Sequence, residues 1–280
     1  MPSTRHDVKA VVTREFVERE YVELGKSYLT IANELGLSRT SVEYWVKKFG
    51  LNISSRTPRK YARNDAFFRS PNTINSYFAG LLAADGWIVD SEYKVGIELQ
   101  TSDRILLERF VSASGYTGPI RDRQRQQVSG HLSHMSVLQV GSAATWIKDL
   151  RENFSVTSRK TKTIQPPRLE RECAESFLIG LIDGDGCISV DKKGQSRLTR
   201  LTVATSSPAL ADWVNEHFNR LAGTVGVRIY RQSDRGDTAS VIASGSNADR
   251  IINHLSRIPV PRLQRKWKEA EEFVDLEEVS

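Results

Sequence analysis

Cysteine is almost missing from this sequence: Cys173 and Cys187 are the two in 280 residues. Without a second pair there is neither a zinc-ligand set nor a disulfide framework. Both are expected as small apolar residues in or beside a helix. Histidine is scarce as well. His131 and His134 fall in an expected hairpin loop with no cysteine or acid beside them, and His6, His217 and His254 are scattered. A histidine-held metal finds no support. No apolar run approaches the ~20 residues of a membrane span, and the opening Met1-Pro2-Ser3-Thr4-Arg5-His6 lacks the apolar core of a secretory leader. The expected compartment is therefore cytoplasmic, with no membrane partner.

Acid is also in short supply over most of the chain. The formal net charge is +6, but residues 269–280 carry six acids and no bases. Without that tail, 40 basic residues face 28 acidic ones, a net charge of +12. Such an excess points to a polyanionic partner. The hydrophobic share of 39% and charged share of 26% are those of a globular protein, with length for two or three domains.

What the chain does have is an internal duplication. Phe177-Leu178-Ile179-Gly180-Leu181-Ile182-Asp183-Gly184-Asp185-Gly186 is matched one hundred positions earlier by Tyr77-Phe78-Ala79-Gly80-Leu81-Leu82-Ala83-Ala84-Asp85-Gly86. Each reads as a short apolar helix stopped by a glycine at its C-cap, where a left-handed residue is favoured. Gly80 with Ala84, and Gly180 with Gly184, lie four apart on one helix face, where small residues let two backbones approach closely. Paired copies set Asp85 and Asp185 side by side at one end, a place to hold metal. The surroundings repeat too: Thr101-Ser102 returns as Thr205-Ser206, and Gly141-Ser142-Ala143-Ala144 as Gly245-Ser246-Asn247-Ala248. Each repeat reads as helix, strand, strand, helix, strand, strand, helix. The spacing predicts strands at 87–89, 94–100, 120–128 and 135–140, then at 188–190, 198–204, 226–232 and 240–243.

Both motif strings resemble the LAGLIDADG motif of homing endonucleases, the second closely and the first more loosely, since Ala83 stands where the second copy has Asp183. The resemblance spans roughly residues 71–268. It implies an α+β fold in which two pseudo-twofold αββαββα repeats form a DNA-binding saddle of antiparallel sheets. It also implies a monomeric, site-specific endonuclease that cuts both strands of a long duplex site across the minor groove, leaving staggered ends. Asp85 and Asp185 would bind the catalytic cation, Mg2+ or another divalent ion such as Mn2+, with the carbonyls of Ala84 and Gly184. Lys160 and Lys266, in Arg159-Lys160-Thr161-Lys162 and Arg265-Lys266-Trp267-Lys268, match the active-site lysines near each repeat's end by position. Lys162 and Lys268 are the fallback pair.

Sequence reading is expected from the outward sheet faces. Lys94, Gln100, Arg121, Arg123 and Arg125 serve the first repeat, and Arg200, Thr202, Arg228, Tyr230 and Gln232 the second. Arginine to guanine and glutamine to adenine are the expected major-groove pairings.

Residues 1–52 read as a small all-α helix-turn-helix domain. A helix from Thr13 to Leu24 is followed by one from Tyr28 to Leu35 ending at Gly36, and by a third that Ser38 caps and that runs to Phe49. Arg39, Thr40, Ser41, Tyr44, Lys47 and Lys48 lie on or near the side that would enter a major groove. Residues 53–70 are expected as a basic linker able to follow phosphates, with Arg59 and Lys60 as DNA contacts. The first repeat then occupies 71–165, the second 166–268 and the acidic tail 269–280. Two other readings use the same scaffold: a non-catalytic DNA-binding regulator, or a maturase acting on intron RNA. Retention of both Asp85 and Asp185 favours the nuclease.

Overall fold

The computed structural model describes residues 12–23, 26–51, 61–126, 130, 132–158, 160–193, 196–231, 238–268 and 270. The chain divides into two compact units, Met1–Lys60 and Tyr61–Ser280.

Among the described residues of the first unit, hydroxyl side chains start three α-helices. Thr13 accepts from the Phe16 amide ahead of α1 (Arg14–Val17), Ser27 from Thr30 ahead of α2 (Tyr28–Leu35), and Ser38 from Ser41 ahead of α3 (Arg39–Lys48). Gly36 ends α2 at φ 65°, the left-handed C-cap its position calls for. Val17, Ile31, Ala32, Val42 and Val46 form the core. The expected regular helix to Leu24 changes form: after Val17 the chain continues as a π-helix, Glu18–Glu23. The wider turn carries two neighbours inward together. Tyr21 stacks on Tyr28 with ring centroids 5.0 Å apart, and Glu20 is buried against Lys26 at 2.6 Å.

In the second unit each repeat builds one four-stranded antiparallel sheet. The first contains α4 (Thr73–Ala84), β1 (Gly86–Val89), β2 (Lys94–Gln100), α5 (Arg104–Ser114), β3 (Ile120–Gln126), β4 (Leu132–Val140) and α6 (Ala144–Phe154), followed by the single turn α7 (Lys160–Thr163). The second contains α8 (Arg171–Asp185), β5 (Gly186–Lys193), β6 (Ser196–Thr205), α9 (Pro208–Ala222), β7 (Arg228–Arg231), β8 (Ala239–Ser244) and α10 (Ser246–Ser256). Strand orders are β1-β2-β4-β3 and β5-β6-β8-β7. Register sets the faces. Ile97 opposite Leu138, and Leu201 opposite Ala243, put one face of each sheet into the core and leave the other for solvent.

The motif helices pack through their glycines. A Cβ added at Gly80 would lie 2.0 Å from the Phe177 carbonyl oxygen, and one at Gly180 would lie 2.1 Å from that of Tyr77. No side chain fits between these backbones. The glycines that follow act differently from expectation. α4 ends on Asp85 in the right-handed region, and Gly186 is extended at φ −94°. Neither Gly86 nor Gly186 is left-handed. Both are there for space, since a Cβ would stand 2.6 Å from the Leu82 oxygen or 2.5 Å from the Ile182 oxygen. The strand therefore leaves hard against the last helical turn.

The expected linker is corrected over residues 61–70. Phe68 is fully buried and Phe67 nearly so, among Phe78, Phe110 and Trp146. Arg63 donates to the Gly141 and Ser142 carbonyls and lies over the Trp146 ring. Two adjacent phenylalanines bury too much apolar area to remain in a solvated tether.

Candidate active site and nucleic-acid interface

Close helix packing fixes where the motif acids go. The position of a Cβ on Gly184 is 2.2 Å from Ala84 Cβ and 3.2 Å from Asp85 Oδ2. The Asp85 carboxylate thus lies against the last turn of α8, one residue from Asp185. Both side chains are solvent-accessible, yet enough protein surrounds them that lost hydration is the main influence on each. Burial raises Asp85 above the ordinary carboxylate range, opposed by Lys266 and Lys160. Burial and then the charge of Asp85 push Asp185 up to about 6. Two desolvated carboxylates, the first raising the second's cost of ionisation, that still open to solvent form a receptive site for a cation.

The lysines sit at the ends of the motif helices. Lys160 Nζ donates to the Ala84 carbonyl at 3.0 Å. Lys266 Nζ faces four carbonyls, Ile182, Asp183, Gly184 and Gly186, at 2.5–3.2 Å. Burial holds both ammonium groups below their ordinary range, opposed first by Asp185 for Lys160 and by Asp183 for Lys266. The pairing crosses the repeats. Lys160 and Asp185 line one cavity of about 270 Å³, together with Ala84, Thr161, Thr205 and Ser206. Lys266 is the leading charge acting on Asp85. Lys162 and Lys268 are exposed on the same turns.

Asp183, two residues before Asp185 in the second motif, is 2% exposed. Its Oδ2 accepts from the Tyr77 hydroxyl at 2.7 Å and the Leu263 amide at 2.9 Å, and its Oδ1 from Trp267 Nε1 at 2.7 Å. This carboxylate ties both motif helices to the segment that carries Lys266. Arg265 adds a bidentate pair to buried Asp103, at 2.8 and 2.7 Å. Sequence reading missed the role of Asp183 because its partners lie 80–106 residues away; the one signal was a charged residue inside an otherwise apolar helix.

Among the described residues no cluster of three or more His, Cys, Asp and Glu side chains exists. The donors on offer are two carboxylates and the Ala84 and Gly184 carbonyls. That set fits a hard divalent cation which takes few carboxylates and keeps its waters. The two carbonyls already accept from lysine, and a carbonyl oxygen has a second lone pair to offer.

Register collects the predicted DNA contacts on one face of each sheet. Lys94, Gln100, Arg121, Arg123 and Arg125 share the outer face of the first, and Arg200, Thr202, Arg228 and Tyr230 that of the second. Arg123 is paired with Glu98 across that face at 2.8 Å, while Arg121 and Arg125 have no ion pair among the described residues. In the first unit Arg39, Thr40, Tyr44, Lys47 and Lys48 are exposed on α3, and Ser41 is half-buried. Lys48 lies over the Trp45 ring at 4.5 Å. Arg59, Lys60 and Gln232 lie outside the described residues.

Residues 172–255 match the family model of the LAGLIDADG-like domain. Over its second repeat the chain is similar to the LAGLIDADG-like domain. Its second unit has the fold of the LAGLIDADG homing endonucleases. I-GzeII, solved in complex with its DNA target, aligns at 12% identity over 75% of this chain and 92% of its own, with a TM-score of 0.53. I-WcaI, solved bound to its DNA recognition sequence, aligns at 12% identity over 69% and 84%, with a TM-score of 0.50. The N-terminal LAGLIDADG domain of DUF199/WhiA aligns at 12% identity over 78% and 91%, with a TM-score of 0.41. No curated protein sequence matches the chain. At these identities the LAGLIDADG likeness concerns fold; chemistry has to be argued from the residues present. No helix in the described residues is long and apolar enough to cross a membrane.

Proposed function

We propose that the LAGLIDADG unit binds double-stranded DNA on the outer faces of its two sheets and hydrolyses one phosphodiester in each strand, as a monomer and with Mg2+ or Mn2+. The observation that carries this reading is the solvent-open pair Asp85 and Asp185, set against each other at the helix ends with Lys160 and Lys266 beside them. A structural role alone does not account for two surface carboxylates forced together in a packed interface.

Hydrolysis needs a water aimed at phosphorus, charge stabilisation on the pentavalent phosphate and a proton for the leaving oxygen. The water oxygen bonds to phosphorus, the bond to the leaving sugar oxygen breaks, and the proton the water gives up is balanced by one on that oxygen. When bound, a divalent cation supplies charge stabilisation and eases water ionisation. Asp85 and Asp185 hold it, with the Ala84 and Gly184 carbonyls within reach. The lysines present positive charge in fixed positions, where it needs no reorganisation as the transition state forms. Arg121, Arg125, Arg200 and Arg228 hold the duplex in register through phosphates and base edges. The first unit contributes as a helix-turn-helix module, with the exposed side of α3 in a major groove.

Cleavage of a randomised duplex pool tests this reading. Mg2+-dependent cutting should vanish in Asp85→Asn and in Asp185→Asn, with DNA binding retained. A variant pair that still cuts removes the assignment. Binding without cutting by the wild type supports the regulator reading instead. Deleting residues 1–55 should weaken binding and flatten its salt dependence by about 0.9 in log–log slope for each phosphate that the first unit neutralises. An unchanged slope means that the first unit does not touch DNA.

A further inference from the structure

The two lysines are not equivalent. An ammonium has three N–H donors, and Lys266 Nζ has four main-chain oxygens within 3.2 Å, those of Ile182, Asp183, Gly184 and Gly186. Its donors are spoken for by the end of α8 and the first residue of β5. Lys160 Nζ has one such partner among the described residues, the Ala84 oxygen at 3.0 Å. It also lines the 270 Å³ cavity that holds Asp185, together with Thr161, Thr205 and Ser206. The asymmetry extends behind the lysines. Trp267, next to Lys266, is fully buried and donates to Asp183, whereas Thr161, next to Lys160, is exposed on the cavity wall.

We propose that Lys160 is the lysine that reaches substrate, and that Lys266 is a positioning residue which caps the second motif helix under the hold of Asp183. The strand that lies over Lys160 and Asp185 is then cut first, and the reaction passes through a nicked duplex. This rests on the nuclease reading for its functional half but makes a claim about the free protein as well. Lys160 keeps two N–H donors for a phosphate oxygen or the attacking water, while Lys266 must break a hydrogen bond to the backbone before it can offer one.

Two measurements on the full-length protein test it. The first is amine acetylation of the metal-free, DNA-free protein, read by peptide mass spectrometry. Lys160 should label about tenfold faster than Lys266, the scale of one hydrogen bond to a charged group. Tyr77→Phe, which takes one donor from Asp183 and copies the residue found at Phe177, should speed labelling of Lys266 and leave Lys160 unchanged. Equal labelling of the two lysines overturns the proposal. The second is a cleavage time course with each strand end-labelled, on a substrate selected from the randomised pool. One strand should be cut about tenfold faster, and Lys160→Met should slow that strand selectively. Equal strand rates, or Lys160→Met and Lys266→Met slowing the same strand alike, overturn the inequality and leave the nuclease reading standing. A wild type that cuts neither strand removes the nuclease reading and the functional half of this proposal with it, and the labelling ratio then decides the free-protein half.

Discussion

At position 77 the first repeat carries a tyrosine where the second has Phe177. At 183 the second carries an aspartate where the first has Ala83, and at 267 a tryptophan where the first has Thr161. The three polar members meet in one buried network, and the three counterparts offer neither the carboxylate nor its two ring-borne donors. Buried polar networks tend to be complete or absent, because a half-satisfied one costs more than an apolar core. The duplicated backbone has therefore kept all three on one side and none on the other. What the halves share is the close helix approach at Gly80 and Gly180 and the carboxylate at each helix end. The shared part serves the cation site, and the unshared part decides how firmly each lysine is held.

Removing the centre of the one-sided network should have the largest effect. Asp183→Ala strands the Tyr77 hydroxyl, the Leu263 amide and Trp267 Nε1, all buried. At about 1 kcal/mol or more for each unsatisfied donor, denaturant unfolding should show a loss of about 3 kcal/mol. Tyr77→Phe should cost about 1 kcal/mol. The mirror change Phe177→Tyr should give no gain, since Ala83 offers its hydroxyl no carboxylate. A gain of stability there would mean that the two sides are less different than they look.

Gly80→Ala and Gly180→Ala probe the shared part. Each new methyl meets a backbone oxygen near 2 Å, and main chain yields less readily than a side chain, so each should cost about 1–3 kcal/mol. The two losses should be alike within a few tenths of a kcal/mol. Markedly unequal values would show that the interface itself is asymmetric.

The apolar periodicity, the paired Thr-Ser and Gly-Ser strings and the hundred-residue offset made both sheets legible in the sequence, as well as the meeting of the motif helices. Local patterns carry that information. The lysine pairing was not legible, because each lysine closes the same repeat as one acid, Lys160 75 residues after Asp85 and Lys266 81 after Asp185, whereas the cavity sets Lys160 with Asp185, and only the helix crossing reveals the exchange. The glycines at 86 and 186 were read for the right residue and the wrong reason: a need for room looks the same in sequence as a need for positive φ. The stretch 61–70 misled through its arginines, whose charge outweighed Phe67 and Phe68. Yet Arg63 is itself held inside by two carbonyls and the Trp146 ring.

The smallest effect bears on the two motif acids as a couple. Asp185 has a folded-state pKa of about 6, against an ordinary value of about 3.9. Below about pH 4 it is protonated both folded and unfolded. Between about pH 4 and pH 6 the folded protein holds a proton that the unfolded chain has lost, so its stability contribution falls as pH rises through that window and stays low above it. Asp85 is displaced in the same direction. Other carboxylates, Glu175 and Asp122 among them, are shifted downward and impose the opposite slope, so the quantity to follow is wild type minus variant. In metal-free buffer, Asp185→Asn should be stabilised relative to wild type at pH 7 and lose that advantage toward pH 4. Asp85→Asn should do more than remove its own contribution: with its charge gone, the Asp185 titration, followed by NMR of the side-chain carboxyl carbon, should move down toward the ordinary range. Burial alone should then keep it raised. If Asp185 titrates identically with and without its neighbour, the carboxylates do not sense each other and the pair does not form one cation site.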